Sequence, residues 1–228
     1  MAKQNATPQE MAIGEAVTKT ESFFENNSKP VALALAALFV IAGGIYALTK
    51  FVIEPRAQKA NEMIVEAQYR FEAENPDYEL ALHGDENGAG FLEVIESYGS
   101  TTAGNIANHY AGICYLHLGD LDAAAEYLAK YKPVKGLAGQ IVTAQNLGLQ
   151  GDIAAEQGDL DKAAKLYEKA VKASDNSYTA PLFMNKRALV FEAQGLHAEA
   201  VEVLEQLLAQ YPSSAEAREA EKLIGTQE

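Results

Sequence analysis

Three short segments, LGDLD, QGDLD and QGLHA, set Gly119, Gly158 and Gly195 at intervals of 39 and 37 residues. Nothing else in the chain constrains its fold as strongly. Alanine-rich stretches with helical periodicity flank each glycine, and β-branched runs are scarce, so each segment reads as a turn between two helices. Aligned on the glycines, the flanks repeat in detail. Gly112, Gly151 and Ala188 fall seven residues before them, and Tyr115, Ala154 and Phe191 four before. Ala124, Ala163 and Ala200 fall five after, and Leu128, Tyr167 and Leu204 nine after. The small residues let the two helices of a unit approach closely, and the large ones fill the gap between them. A helix pair of this kind cannot bury its apolar face alone, so the units must stack.

This pattern resembles the tetratricopeptide repeat: a small residue, an aromatic three on, then glycine, alanine, an aromatic and a closing proline. The segment LGLQGDIAAEQGDLDKAAKLYEKAVKAS is the best match, and the last unit closes on Tyr211-Pro212. The resemblance covers residues 103–212 with three units, whose inter-repeat turns around Lys132–Leu137 and Ser174–Ala180 depart from strict repeat length. Residues 57–98 read as a divergent first pair, AQKANEMIVEAQYRFEAE and FLEVIESYG, separated by the loop HGDENGAG. Residues 213–226 read as a capping helix with Ser213 or Ser214 at its N-cap. The expected fold class is all-α, a tetratricopeptide α-solenoid behind one N-terminal transmembrane helix.

That N-terminal helix is predicted from VALALAALFVIAGGIYALT, Val31–Thr49, which carries no charge. At 1.5 Å per residue it spans about 28 Å, close to the hydrocarbon thickness of a bilayer. A cleaved secretory signal would be shorter, with a basic start and a small-residue exit. Here the leader mixes Lys3, Lys19 and Lys29 with Glu10, Glu15, Glu21 and Glu25, and the exit holds Ile45 and Tyr46. A buried helix of a soluble domain would show a polar stripe. Residues 30–53 therefore read as an uncleaved anchor, with Pro30 suited to the first helical position. Alanines with Gly43 and Gly44 leave it smooth, which permits close packing against another membrane helix or reflects plain filler. Lys19 and Lys29 lie before the span and Lys50, Arg56 and Lys59 after it, so the flanks lean slightly against an exported C-terminal domain or assign no direction. The leader, residues 1–29, reads as a short interfacial helix or as disorder.

The segment from Ala57 onward carries the whole formal charge of −14, which opposes nucleic acid and anionic head groups and tolerates neutral or basic polypeptides. The lone Cys114 forms neither an internal disulfide nor a cysteine metal site and reads as core. His83, His109, His117 and His197 make no zinc pattern, HGDENGAG reads as a turn, and its acidic pair does not fit an EF-hand. No catalytic constellation, metal site or cofactor motif is expected, so the function expected is recognition rather than enzymatic activity. In such an array the first helix of each unit lines a concave groove. Repeat position assigns to it Ile106, His109 and Ile113, then Gln145, Gly148 and Asp152, then Leu182, Asn185 and Leu189. Several of these would otherwise pack between repeats. The surface suits a polypeptide ligand. It lacks the lysines and arginines with which some tetratricopeptide proteins clamp a C-terminal carboxylate.

The whole layout of leader, anchor, atypical pair and three units resembles the YfgM-like ancillary translocon subunits of bacterial envelopes. FLEVIESYGSTTAGNIANHYAGICYLHLGDLDAAAEYL and YPSSAEAREAEKLI are similar to the Bacteroidota type. The resemblance implies a cytoplasmic N-terminus, a single pass through the inner membrane and a periplasmic repeat domain. It also implies association with the SecYEG channel and with a membrane-anchored chaperone of the prolyl-isomerase class. An envelope-assembly or cell-division scaffold with no export role is the alternative of a different class.

Overall fold

A computed structural model describes Phe23 and residues 27–225. The leader reading therefore falls almost wholly outside the described residues. The chain divides into two compact units, Met1–Pro55 and Arg56–Glu228.

In the first unit, helix α1 (Ser28–Leu48) buries none of its residues. Leu33, Phe39, Val40 and Tyr46 all stand exposed, so the helix is apolar all round. Pro30 is the third helical residue rather than the first. The first bonded amide is that of Val31, donating to the Asn27 carbonyl, so the missing proline N–H still costs nothing. A π-helical turn, Thr49–Ile53, follows, and Lys50 pairs with Glu54 at 2.8 Å. By length and composition this is a helix able to cross a membrane.

The second unit takes up most of α2 (Glu54–Phe71), which buries Ala60, Ile64 and Ala67 along one stripe. A short helix, α3 (Tyr78–His83), comes next, capped by Asp77, which accepts from the Leu80 amide. The glycine-rich loop is a small antiparallel hairpin, β1 (Gly84–Asp85) with β2 (Gly88–Ala89). Arg70 donates to the Gly88 and Ala89 carbonyls and to Asp85, and Glu66 accepts from the Ala89 amide. One turn of α2 thus straps the hairpin down, a contact that the loop's own residues do not announce. Helix α4 (Phe91–Tyr98) completes this first layer. Its Phe91 and Val94 share a core with α2, α3 and the next helix.

Three helix pairs follow: α5 (Thr102–His117) with α6 (Leu121–Lys130), α7 (Leu137–Glu156) with α8 (Leu160–Ala173), and α9 (Thr179–Ala193) with α10 (His197–Gln210). Helix α11 (Ala215–Gly225) covers the last of them. Gly119, Gly158 and Gly195 adopt φ of 83°, 80° and 75°, a conformation costly for any residue with a Cβ. Asp120 and Asp159 cap α6 and α8 through the amides of Ala123 and Lys162. The third turn carries leucine there and has no side-chain cap.

The interior of each pair follows the aligned positions. Ala124, Ala163 and Ala200 are fully buried. A Cβ on Gly112 would lie 2.5 Å from Leu128, and one on Gly151 would lie 2.6 Å from Tyr167. The small residue seven before the turn therefore faces the large residue nine after it. Close packing of this kind is what lets short helices hold together.

Candidate peptide groove

The first helices of the three pairs share one open pocket of about 270 Å³. Helix α5 contributes His109 and Ile113, α7 contributes Gln145, Leu149 and Asp152, and α9 contributes Leu182, Phe183 and Lys186. Five of the residues assigned to the groove by repeat position thus meet at one place. The others do not. Ile106 packs on the core under α2 and α4. Gly148 is buried because its missing side chain makes room for Phe183, whose ring would lie 2.0 Å from a Cβ there. Asn185 is only 7% exposed and donates to Glu219 of α11. Leu189 stands half-exposed outside the pocket. Gly43 and Gly44 lie on α1 with open space around them.

Leu149, Phe183 and Lys186 are the pocket residues that repeat position overlooked. Leu149 and Lys186 lie one helical turn after Gln145 and Leu182, four residues on, and that spacing was the available signal; Phe183 follows Leu182 directly and carried no such signal. Lys186 is a basic side chain on a face where none was expected, yet it is not free. Its ammonium lies 2.7 and 2.8 Å from the two carboxylate oxygens of Asp152. The Tyr167 hydroxyl, arriving from α8, donates to the same carboxylate at 2.7 Å. Burial first, and then this bond to Asp152, push the Tyr167 hydroxyl far above its ordinary pKa, so it remains a donor.

A chain of side-chain amides outside the pocket lining ends on its histidine, His109. Gln150 reaches the Leu128 carbonyl, which only accepts, so Gln150 Nε2 is a donor. It also donates to Asn146 Oδ1 at 2.7 Å, which turns the Asn146 amide nitrogen toward His109 Nδ1 at 3.2 Å. Nδ1 therefore accepts and Nε2 carries the proton. Burial holds the His109 pKa down at about 4, so the ring is neutral at physiological pH. The pocket combines apolar walls, a neutral imidazole, the exposed Gln145 amide and one internally paired carboxylate. Such a set offers a ligand apolar contact and a few hydrogen-bonding groups. Cys114 is buried, with its thiol pushed up to about 12, so it is no nucleophile. No group of three or more metal-ligating side chains occurs among the described residues.

Residues 149–215 match the tetratricopeptide repeat family. The chain is also similar to the crystal structure of MamA at 19% identity, over 59% of this chain and 73% of that one, with a TM-score of 0.45. It is similar to the crystal structure of nearly identical TPR-like repeats of a Podosopora anserina putative kinesin light chain at 18% identity. That match covers 69% of this chain and 74% of the other, with a TM-score of 0.43. No curated protein matches the chain. The protein is an all-α chain that carries tetratricopeptide repeats, a scaffold for protein–protein interaction, behind a helix long and apolar enough to span a membrane.

Proposed function

We propose that this protein is a membrane-anchored scaffold at the exit of the Sec export channel. There its groove binds a partner chaperone or emerging secreted chains. In this reading the anchor crosses the inner membrane once, residues before it are cytoplasmic, and the repeats stand in the periplasm. The partners are SecYEG and a membrane-anchored chaperone of the prolyl-isomerase class. The observation that carries the binding role is the pocket shared by α5, α7 and α9, which brings apolar walls and hydrogen-bonding groups onto one face. The layout of anchor, atypical first pair and three repeats supports the export role through its resemblance to the YfgM-like subunits. The bare surface at Gly43 and Gly44 is offered to a partner's membrane helix, and Gly→Leu changes at both would weaken that docking.

A photo-crosslinker at the exposed Gln145 tests the proposal in cells. Capture of a periplasmic protein, together with co-purification of detergent-solubilised SecY, is the expected result. Capture of cytosolic proteins alone reverses the topology and ends the reading. Periplasmic capture without SecY leaves an envelope-assembly or cell-division scaffold in its place.

A further inference from the structure

Asp152 and Lys186 look at first like a closed ion pair, but the two partners are held very differently. Asp152 is anchored from below by the hydroxyl of Tyr167, a residue only 3% exposed. Lys186 has no second hydrogen-bond partner among the described residues, though its ammonium also lies over the Tyr167 ring, 6.0 Å from the centroid. The two side chains are equally exposed, 33% for Lys186 and 35% for Asp152, but the ammonium rests on Asp152 at the end of a flexible four-carbon stem. The carboxylate is therefore the partner with the extra hydrogen bond, and the cation is the one more easily exchanged. Beside it stands the apolar wall of Ile113, Leu149, Leu182 and Phe183. The pocket holds about 270 Å³, near the lower end of ligand-site volumes.

We infer that the groove selects polypeptide segments in which an apolar side chain neighbours a lysine or arginine. This inference rests on the groove being the binding site. The apolar side chain fills the wall, and the basic one takes Asp152. Lys186 meanwhile swings outward into solvent, so it acts as an internal placeholder for the ligand's cation. Two observations favour a cation over an anion. The carboxylate is already oriented, so its use costs little ordering. The segment carrying the groove also bears the whole formal charge of −14, which attracts basic chains and repels acidic ones over a Debye length. A ligand carboxylate would have to take Lys186 from Asp152 against that field, leaving Asp152 with only its tyrosine donor.

The test uses the full chain in nonionic detergent and three fluorescein-labelled twelve-residue peptides, identical except at one position. Each carries a central leucine, with arginine, glutamine or glutamate two residues away. Fluorescence anisotropy is expected to rank arginine above glutamine above glutamate, with arginine about three- to tenfold tighter than glutamine. Asp152→Asn should remove the arginine advantage while leaving glutamine-peptide binding in place. Lys186→Met should strengthen arginine-peptide binding, and both side chains are exposed enough that circular dichroism should stay unchanged. Tightest binding of the glutamate peptide overturns the inference, as does an arginine advantage that survives Asp152→Asn. If arginine and glutamine peptides bind equally and Leu182→Asp abolishes both, the groove reading stands and the charge selection falls. If no peptide binds, both fall.

Discussion

Acid should weaken this protein through one histidine. His109 lies between the first two repeats, 4% exposed, with its Nδ1 accepting from Asn146 and its ring edge against Tyr110 and Tyr131. Its pKa is near 4 in the folded chain and near 6.5 when unfolded. The sign follows from proton counts. Between those two values the unfolded chain binds the extra proton and the folded chain does not, so stability rises with pH across that window. The contribution is intact above pH 6.5 and is lost as pH falls toward 4. By linkage the loss is about 2 kcal/mol at pH 5 and about 3 kcal/mol at pH 4. Carboxylates also change stability in this range, so the measurement must isolate the imidazole. Urea unfolding of the full chain in nonionic detergent, followed by circular dichroism at pH 7 and pH 5, is compared with that of His109→Gln. The glutamine stays neutral and retains an acceptor for Asn146. Its packing cost appears at both pH values and cancels. The wild-type protein should lose about 2 kcal/mol more than the variant on going from pH 7 to pH 5. Parallel pH dependences for the two proteins would refute the assignment of a buried, neutral His109.

Three further perturbations have defined outcomes. Gly148→Ala places a Cβ 2.0 Å from the buried Phe183 ring and should cost about 1–3 kcal/mol, read as a lowered urea midpoint. An unchanged midpoint would mean that α7 and α9 are not in close contact there. Gly158→Ala meets no neighbour within 4 Å, so only its φ of 80° matters, and about 1 kcal/mol should be lost in the same assay. Cys114 should resist maleimide at pH 7.5 until denaturant is added, because burial removes access and holds the thiol near 12. Rapid native labelling would contradict its place in the core.

The all-α solenoid class was legible because its determinants are local and repeated. A positive-φ glycine, a small residue seven before it and an alanine five after it act within one helix pair, and the chain states them three times. The apolar length of α1 is equally local. The groove was legible only in part, and the reason is the distance in sequence of the residues that decide it. Asp152 finds Lys186 34 residues away, and Asn146 finds His109 37 residues away. Both pairs join successive units at separations that differ from the repeat interval, so the pairing depends on how one unit is rotated on the next. Asn185 occupies the same repeat position as His109, and both are buried, but Asn185 donates to Glu219 of α11 instead of lining the pocket.

The hairpin at Gly84–Ala89 shows the same boundary from the other side. Its glycines marked a turn, yet its strand pairing is held by Arg70 and Glu66, which come from the preceding long helix. The sequence by itself determined a stack of helix pairs behind an apolar helix, since hydrophobic period, turn chemistry and length are properties of neighbouring residues. Only the tertiary structure decided which side chains share the pocket and which cation sits on its carboxylate. Those choices are made where separate helices come into contact, and no period along the chain encodes them.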